Sequence, residues 1–225
     1  MTLRRCLPTL GTLALAFTVE LAPAAASAQR DAGDDRLPLG DLIEIVALDG
    51  ELLAVDAQGG GTTRVRLRLG ERVLWRSVKG LVGVAITDQR VLAVATDSAS
   101  WQEAVYEQSE SPPADGAVLG DRVALVVLEQ RVLGFVGRVG RFVEIRLGPQ
   151  ESLRASRVGA NVAVVVTDRK AHGLSYEAGG FFPVRLQLKE RIEDVGASAN
   201  FATVRTNQRV LVFRAPTGSW AERRH

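Results

Sequence analysis

The chain offers little from which to build a metal centre, a disulfide or a thiol nucleophile. It has one cysteine, Cys6, and two histidines, His172 and His225, in 225 residues. A tetrahedral transition-metal site draws on three or four Cys, His or carboxylate ligands, so no metal and no cofactor is expected; acidic residues are common enough to leave calcium open. Lysine is almost as scarce, with Lys79, Lys170 and Lys189 the only three among 28 basic residues. The formal net charge is +2, and setting aside Arg4, Arg5 and Glu20 of the leader leaves 26 basic against 25 acidic residues. A balance of this kind gives no electrostatic reason to expect nucleic acid or an anionic membrane as partner, because both demand clustered positive charge. A long apolar run is also absent. The stretch from Leu7 to Val19 is interrupted by Pro8 and Gly11 and closed by Glu20, whereas a spanning helix needs about 20 apolar residues.

What the first 28 residues contain instead is a basic head with Arg4-Arg5, that short apolar middle, and small residues ending at Ala26-Ser27-Ala28. This is the layout of a secretory signal peptide. The mature protein is therefore expected in the periplasm or outside the cell, without Cys6 and without a membrane span. Residues 29–35 read as a disordered linker and 36–225 as a single domain of ordinary size.

The domain is built from an internal repeat. The segments starting at Leu48-Asp49-Gly50, Thr87-Asp88-Gln89, Leu128-Glu129-Gln130, Thr167-Asp168-Arg169 and Thr206-Asn207-Gln208 align without gaps, and their marker residues Asp49, Asp88, Glu129, Asp168 and Asn207 are spaced by 39, 41, 39 and 39. Before each marker runs a short, β-branched apolar stretch (Leu42–Leu48, Leu81–Ile86, Val123–Leu128, Val162–Val166), the pattern of a strand buried on both faces. The marker and its successor read as a two-residue hairpin loop with φ above zero, which Asp, Asn and Gly tolerate best; Glu129 is the misfit. A second strand follows, such as Arg90–Ala95 or Arg209–Arg214. Thirteen residues after the marker, Thr62, Trp101, Phe142, Phe181 or Trp220 opens a third strand. Its alternation in Val65–Leu69, Val143–Leu147 and Val184–Leu188 argues for one wet face. Weaker segments at Arg72–Val78, Ser152–Val158 and Glu190–Val195 are expected to close each unit as a fourth strand.

Four antiparallel strands per 40 or so residues make a propeller blade. From Arg36 to His225 the chain resembles five-bladed β-propellers as an architectural class. It carries neither the Gly-His and Trp-Asp pairs of WD40 blades nor the double glycine of kelch blades, so no family's partners come with the resemblance. The predicted fold is thus an all-β, five-bladed propeller. Its last unit lacks a fourth strand, which Arg36–Gly40 is expected to supply, closing the ring and hiding its edges.

In such a fold one face bears the loops that lead into the apolar strands, carrying Asp41, Asp121, Arg122, Asn161 and Asn200, near Trp101, Phe142, Phe181, Phe182 and Trp220. These polar groups and flat rings suit a protein or glycan ligand; the plainer reading of the aromatics is as packing wedges between blades. The opposite face bears the hairpins and a ring of cations, Arg90, Arg131, Lys170 and Arg209, suited either to an anion or to solvated strand ends. His172 stands where other units carry leucine and reads as a buried core histidine. Gly59-Gly60-Gly61 is not followed by a helix and reads as a flexible loop, not a phosphate cradle. A hydrolase would need paired carboxylates; five residues before the markers only Glu44 is acidic, with Asp121 the nearest candidate partner. The expected function is a non-catalytic binding or scaffold module outside the cytoplasm, the alternative a propeller-type hydrolase using Glu44 and Asp121.

Overall fold

A computed structural model describes residues 40–98 and 100–224, and among them the regular structure is β apart from one short 3-10 turn, Gly137–Val139. No helix among the described residues is long and apolar enough to cross a membrane. Five antiparallel meanders, blades 1 to 5, follow one another along the chain. Blade 1 contains β1 (Ile43–Leu48), β2 (Glu51–Asp56) and β3 (Thr62–Arg66). Blade 2 contains β4 (Val73–Lys79), β5 (Val82–Thr87), β6 (Arg90–Ala95) and β7 (Gln102–Val105). Blade 3 contains β8 (Val118–Leu119), β9 (Val123–Val127), β10 (Arg131–Val136) and β11 (Arg141–Arg146). Blade 4 contains β12 (Leu153–Val158), β13 (Val162–Thr167), β14 (Lys170–Ser175) and β15 (Gly180–Arg185). Blade 5 contains β16 (Ile192–Ala197), β17 (Phe201–Thr206), β18 (Arg209–Arg214) and β19 (Ser219–Arg224). Five repeated antiparallel sheets make this a β-propeller-type repeat fold.

Two local expectations are corrected. The first concerns the phase of the repeat. The segments at 72–78, 152–158 and 190–195 do not close the preceding unit; they open the next one, with Trp75 opposite Ile86, Ser156 opposite Val165 and Val195 opposite Val204. Connection length explains this. Only Gly80-Leu81 separates β4 from β5, a hairpin-sized link that enforces antiparallel pairing, whereas six residues separate β3 from β4 and step the chain to a new sheet. Blade 5 accordingly has four strands of its own and does not need Arg36–Gly40 to complete it. The expected ring closure falls on residues 36–39, outside the described residues.

The second concerns the hairpin turns. Among the described residues Lys189 is the only non-glycine with positive φ, so the turns at Asp88, Glu129, Asp168 and Asn207 do not use the left-handed region; Gly50 alone does. A threonine side chain closes three of them, and at Glu129 the backbone bond from Leu128 N–H to the Arg131 carbonyl stands alone. The Thr87 hydroxyl accepts the N–H groups of Gln89 and Arg90 at 3.1 and 3.0 Å, and Thr167 and Thr206 repeat the pair of bonds. The marker carboxylate or amide faces away and accepts a backbone N–H sixteen residues upstream: Arg72 to Asp88 at 2.9 Å, Ser152 to Asp168 at 3.1 Å, Arg191 to Asn207 at 2.7 Å. In blades 2, 4 and 5 the marker thus ties the hairpin to the turn that leads into its own blade.

Packing follows from period-two alternation. Val82, Val84, Ile86, Val91, Ala93 and Ala95 of blade 2 face blade 3, while Ala85, Leu92 and Val94 face Ile43, Ile45, Leu52 and Ala54 of blade 1. Similar apolar interfaces join blades 3 and 4 and blades 4 and 5. Each fully buried Val or Leu contributes about 1.5–3 kcal/mol relative to exposure, which is why the central strands β5, β6, β10 and β13 are buried along their whole length. The outward faces of the two terminal blades differ: β1 and β17 are buried only on alternate residues, and Val46, Leu48 and Phe201 are exposed.

Candidate functional site

The lead-in loops are stitched into an arc by one hydrogen bond per junction. Leu42 N–H donates to the Gly80 carbonyl at 2.7 Å, Leu81 to Asp121 at 2.7 Å, Arg122 to Ala160 at 2.9 Å and Asn161 to Ala199 at 2.8 Å. The loops approach so closely that a Cβ on Gly120 would run into the Gly159 carbonyl and one on Gly159 into that of Ser198. The loops that follow the second strand of each hairpin join the same rim, since Ala57, Thr96, Gly137, Tyr176 and Ala215 each donate an N–H to the carbonyl of a lead-in residue of their own blade, Leu42, Leu81, Arg122, Asn161 and Asn200.

On this rim the structure brings the expected polar residues together pairwise. The Asp41 carboxylate accepts the Gly80 N–H at 3.0 Å, Asp121 lies 3.9 Å from Lys79 Nζ, and Asn161 Nδ2 donates to Asn200 Oδ1 at 2.7 Å. Arg122 sits 5.0 Å over the Tyr176 ring, and its Nε is buried without a partner among the described residues. The Tyr176 hydroxyl donates to Asp97 Oδ2 at 2.6 Å, across two blades; burial first, then this bond to an anion, pushes the phenol up to about 12.

The aromatic residues are wedges. Trp101 of blade 2 donates its indole N–H to the Thr63 carbonyl of blade 1 at 3.3 Å, and Trp220 of blade 5 repeats the bond to Phe182 of blade 4 at 2.8 Å. Phe142 meets Phe135 edge-on at 5.3 Å, Phe182 stacks on Phe213 at 6.0 Å, and Phe181 packs between blades 3 and 4. A ring that is half buried and bonded across a junction serves packing first.

On the opposite rim the arginines are consumed by carboxylates that sequence reading overlooked. Arg90 grips Glu71 with Nε and Nη2, both at 2.9 Å, donates to the Arg66 carbonyl of blade 1 at 2.8 Å, and pairs with Glu103 through Nη1. Arg131 does the same with Glu110, the Val105 carbonyl and Glu144. Arg209 repeats it with Glu190, the Arg185 carbonyl and Glu222. The side chains of Glu71, Glu110 and Glu190 are fully buried and those of the three arginines nearly so. Burial opposes ionisation of Glu71 and Glu190, but the arginine, a backbone N–H and a threonine hydroxyl outweigh it, holding both carboxyls below the usual range. These cations are neither free to hold an anion nor solvated strand ends. They are internal clamps joining each hairpin to the blade before it. The signal was present: glutamate stands nineteen residues before the basic residue at 71/90, 151/170 and 190/209, and thirteen after the arginine at 103, 144 and 222.

Blade 4 departs from this scheme. Lys170 replaces the arginine, and no ion pair within 4.0 Å joins it to Glu151, which is left with the Thr167 hydroxyl at 2.6 Å and the Gly148 N–H at 3.3 Å. Two residues on, His172 is buried as expected, opposite Val165 and Pro183, but its Nε2 has no hydrogen-bond partner among the described residues. Burial, then the Lys170 charge, lowers its pKa, partly opposed by Glu151.

The cavities follow the repeat. Open grooves of about 460 and 390 Å³ occupy the hairpin rim at junctions 4/5 and 3/4, the first lined by Asp168, Leu186 and Glu190, the second by Glu129, Leu147 and Glu151. These are equivalent positions, so the grooves reflect blade spacing and not one specialised site. A hollow of about 100 Å³ between blades 1 and 2, beside the Gly59–Gly61 loop, is lined by Ile43, Asp56, Thr62 and Val94. It is below the roughly 300–1,000 Å³ of small-molecule sites. Glu44 is exposed on β1, and Asp121 leads into blade 3 with blade 2 between them, so the structure does not bring this carboxylate pair together. Among the described residues no cluster of three or more His, Cys, Asp or Glu side chains is placed to hold a metal ion.

No family model and no curated protein matches the chain. Solved structures resemble it in part: human WBSCR16 at 12% identity and a TM-score of 0.41 over 75% of this chain and 56% of that one; apo AztD from Citrobacter koseri at 16% and 0.36 over 81% and 59%; and the WD40 domain of SCAP from fission yeast at 11% and 0.35 over 82% and 57%. The chain thus spans less than two thirds of these structures, and at these scores the fold reading stands on its own five sheets.

Proposed function

We propose that the protein is a non-catalytic binding or scaffold module, exported by its first 28 residues, that engages a protein or glycan through the rim formed by the lead-in loops. The observation that carries this reading is the contrast between rims. Asp41, Asp121, Asn161 and Asn200 are short polar groups on loops held rigidly by the arc of backbone bonds, and Arg122 beside them keeps an unpaired donor. On the hairpin rim Arg90, Arg131 and Arg209 are already matched by glutamates within the fold. A rigid scaffold lowers the ordering cost of binding, and loops on such a scaffold are where recognition residues concentrate.

The test is a glycan array and an envelope-extract pull-down with the mature protein, run beside Arg122→Ala and an Asn161→Ala, Asn200→Ala pair. Loss of a ligand with both variants at unchanged melting temperature supports the reading. A ligand retained by both, or lost only on substitution of exposed hairpin-rim residues such as Arg169 and Gln208, removes it. Fractionation of expressing cells tests export, which cytoplasmic retention of an uncleaved chain contradicts.

A further inference from the structure

We propose that the hairpin rim between blades 3 and 4 holds a receptor for a guanidinium group supplied from outside the chain, of the kind an arginine side chain carries. The other three junctions are its template. In each, a glutamate is held from behind by a backbone N–H three residues upstream: Arg68 to Glu71 at 2.6 Å, Glu107 to Glu110 at 2.9 Å and Gln187 to Glu190 at 2.5 Å. A threonine hydroxyl joins it at Glu71 and Glu190. The open edge of each carboxylate then takes Nε and Nη2 of the arginine, and Nη2 reaches on to a carbonyl of the preceding blade.

Blade 4 builds the same cradle without an arginine to fill it. Glu151 is held from behind in the same way, by the Gly148 N–H at 3.3 Å and the Thr167 hydroxyl at 2.6 Å. Its other edge has no hydrogen bond or ion pair among the described residues. No side chain among them donates to the Arg146 carbonyl, which stands twenty-four residues before Lys170 as Arg66 and Arg185 stand before Arg90 and Arg209. Pro183 replaces the glutamates Glu103, Glu144 and Glu222, so the receptor is one carboxylate and one carbonyl. Lys170 does not take the place: it bonds Thr167 through its backbone only, and it is half-buried where the three arginines are buried. An ammonium is a hydrated point charge, whereas a planar guanidinium spans both carboxylate oxygens and a neighbouring acceptor at once.

The way in is the groove of about 390 Å³ lined by Glu129, Leu147, Gly148 and Glu151. The groove at junction 4/5 is its equivalent, but there Arg209 already occupies Glu190; the grooves are alike and the acids beneath them are not. Of the charges nearby, Glu129 accepts the Ser111 hydroxyl at 3.0 Å and adds a negative charge to the groove, while Arg146 is paired with Glu107 and Glu144. Burial favours the uncharged form of His172. The Lys170 charge opposes an incoming cation, so capture is weak and reduced by salt.

The test is amide NMR of the full chain titrated with N-acetylarginine methylamide. Expected is a saturable shift of the Gly148 amide, with the Gln187 amide at the filled clamp of junction 4/5 unmoved and neither amide moved by the uncharged citrulline derivative. Lys170→Arg puts the chain's own guanidinium in the cradle and abolishes the shift without lowering the melting temperature; Glu151→Gln abolishes it; Lys170→Met removes the competing charge and tightens binding several-fold. Free arginine run beside the blocked form separates the sources, since a receptor for a protein side chain saturates at lower concentration with the blocked form and a receptor for a small molecule with the free one. A Gly148 amide that moves with neither, moves equally with the citrulline derivative, or still moves in Lys170→Arg overturns the proposal. Lys170→Arg restores the residue type of the other clamps, so the test stands even if Glu151→Gln fails to fold. The site lies on the rim opposite the lead-in loops, and its outcome is independent of whether those loops bind a ligand.

Discussion

The two rims of this molecule use the same kinds of residue for opposite ends. On the hairpin rim, Arg90, Arg131 and Arg209 are long side chains turned inward onto Glu71, Glu110 and Glu190, and each also reaches a carbonyl of the preceding blade. On the loop rim the polar groups other than Arg122 are short, and Asp41, Asn161 and Asn200 bond to backbone or to one neutral partner. The lesson is that a ring of cations at one repeat position marks a binding surface only if its countercharges are missing, and here a glutamate at fixed spacing supplies them.

The largest effect expected from this contrast is on stability at the hairpin rim. Glu190→Ala leaves Arg209 buried without its bidentate partner, and breaking a buried pair costs about 3–5 kcal/mol; chemical denaturation reads this directly. Because the buried arginine holds Glu71 and Glu190 below the ordinary carboxyl value of 4.5 in the folded protein, they bind fewer protons there than when unfolded. Their contribution is fully present above about pH 4.5 and lost as pH falls through their lowered folded values. A melting temperature that stays level from pH 6 to about pH 3 contradicts the clamps. Next in size is Trp220→Ala, expected to cost roughly 3 kcal/mol or more as a wedge; a stable variant that loses a ligand instead returns Trp220 to the binding surface.

Smaller and opposite in sign is His172→Leu, which restores the residue of blades 1, 2, 3 and 5 and removes an unpartnered buried nitrogen, a gain of about 1–2 kcal/mol. The sign with pH follows from its lowered folded pKa. The unfolded chain takes up a proton below the ordinary imidazole value of 6.5 before the folded one does, so stability falls as pH drops from there, and the leucine variant loses that slope. Lys170→Arg, which gives Glu151 the clamp its counterparts have, is expected to add about 1 kcal/mol; no change in denaturation midpoint breaks the comparison between blade 4 and its neighbours.

Much of the fold was legible in the residues. The strand read at Leu42–Leu48 is Ile43–Leu48, and those read at Arg90–Ala95 and Arg209–Arg214 match residue for residue. Phase was not legible, because a tandem period has no intrinsic start. Arg72–Val78 has the same half-wet pattern whether it pairs backwards or forwards, and only the short Gly80-Leu81 link decides. The alternation in Val65–Leu69 and Val184–Leu188 ran past the true strand ends, leaving Leu69 and Leu188 in exposed turns. The clamps were hidden by a two-residue offset, since Glu110 precedes Arg131 by 21 and not 19. Glu44 was visible as the odd acid of its repeat position, but its cause, an uncovered terminal face, appears only when the blades are stacked.

The division of labour between rims is tested most directly by measuring melting temperature and ligand capture side by side for Arg209→Gln and Arg122→Gln. The account expects Arg209→Gln to lower the melting temperature by several degrees while its folded fraction still captures ligand, and Arg122→Gln to melt with the unmodified protein but lose capture. An Arg209→Gln protein as stable as the parent, or an Arg122→Gln protein that binds as well, contradicts it.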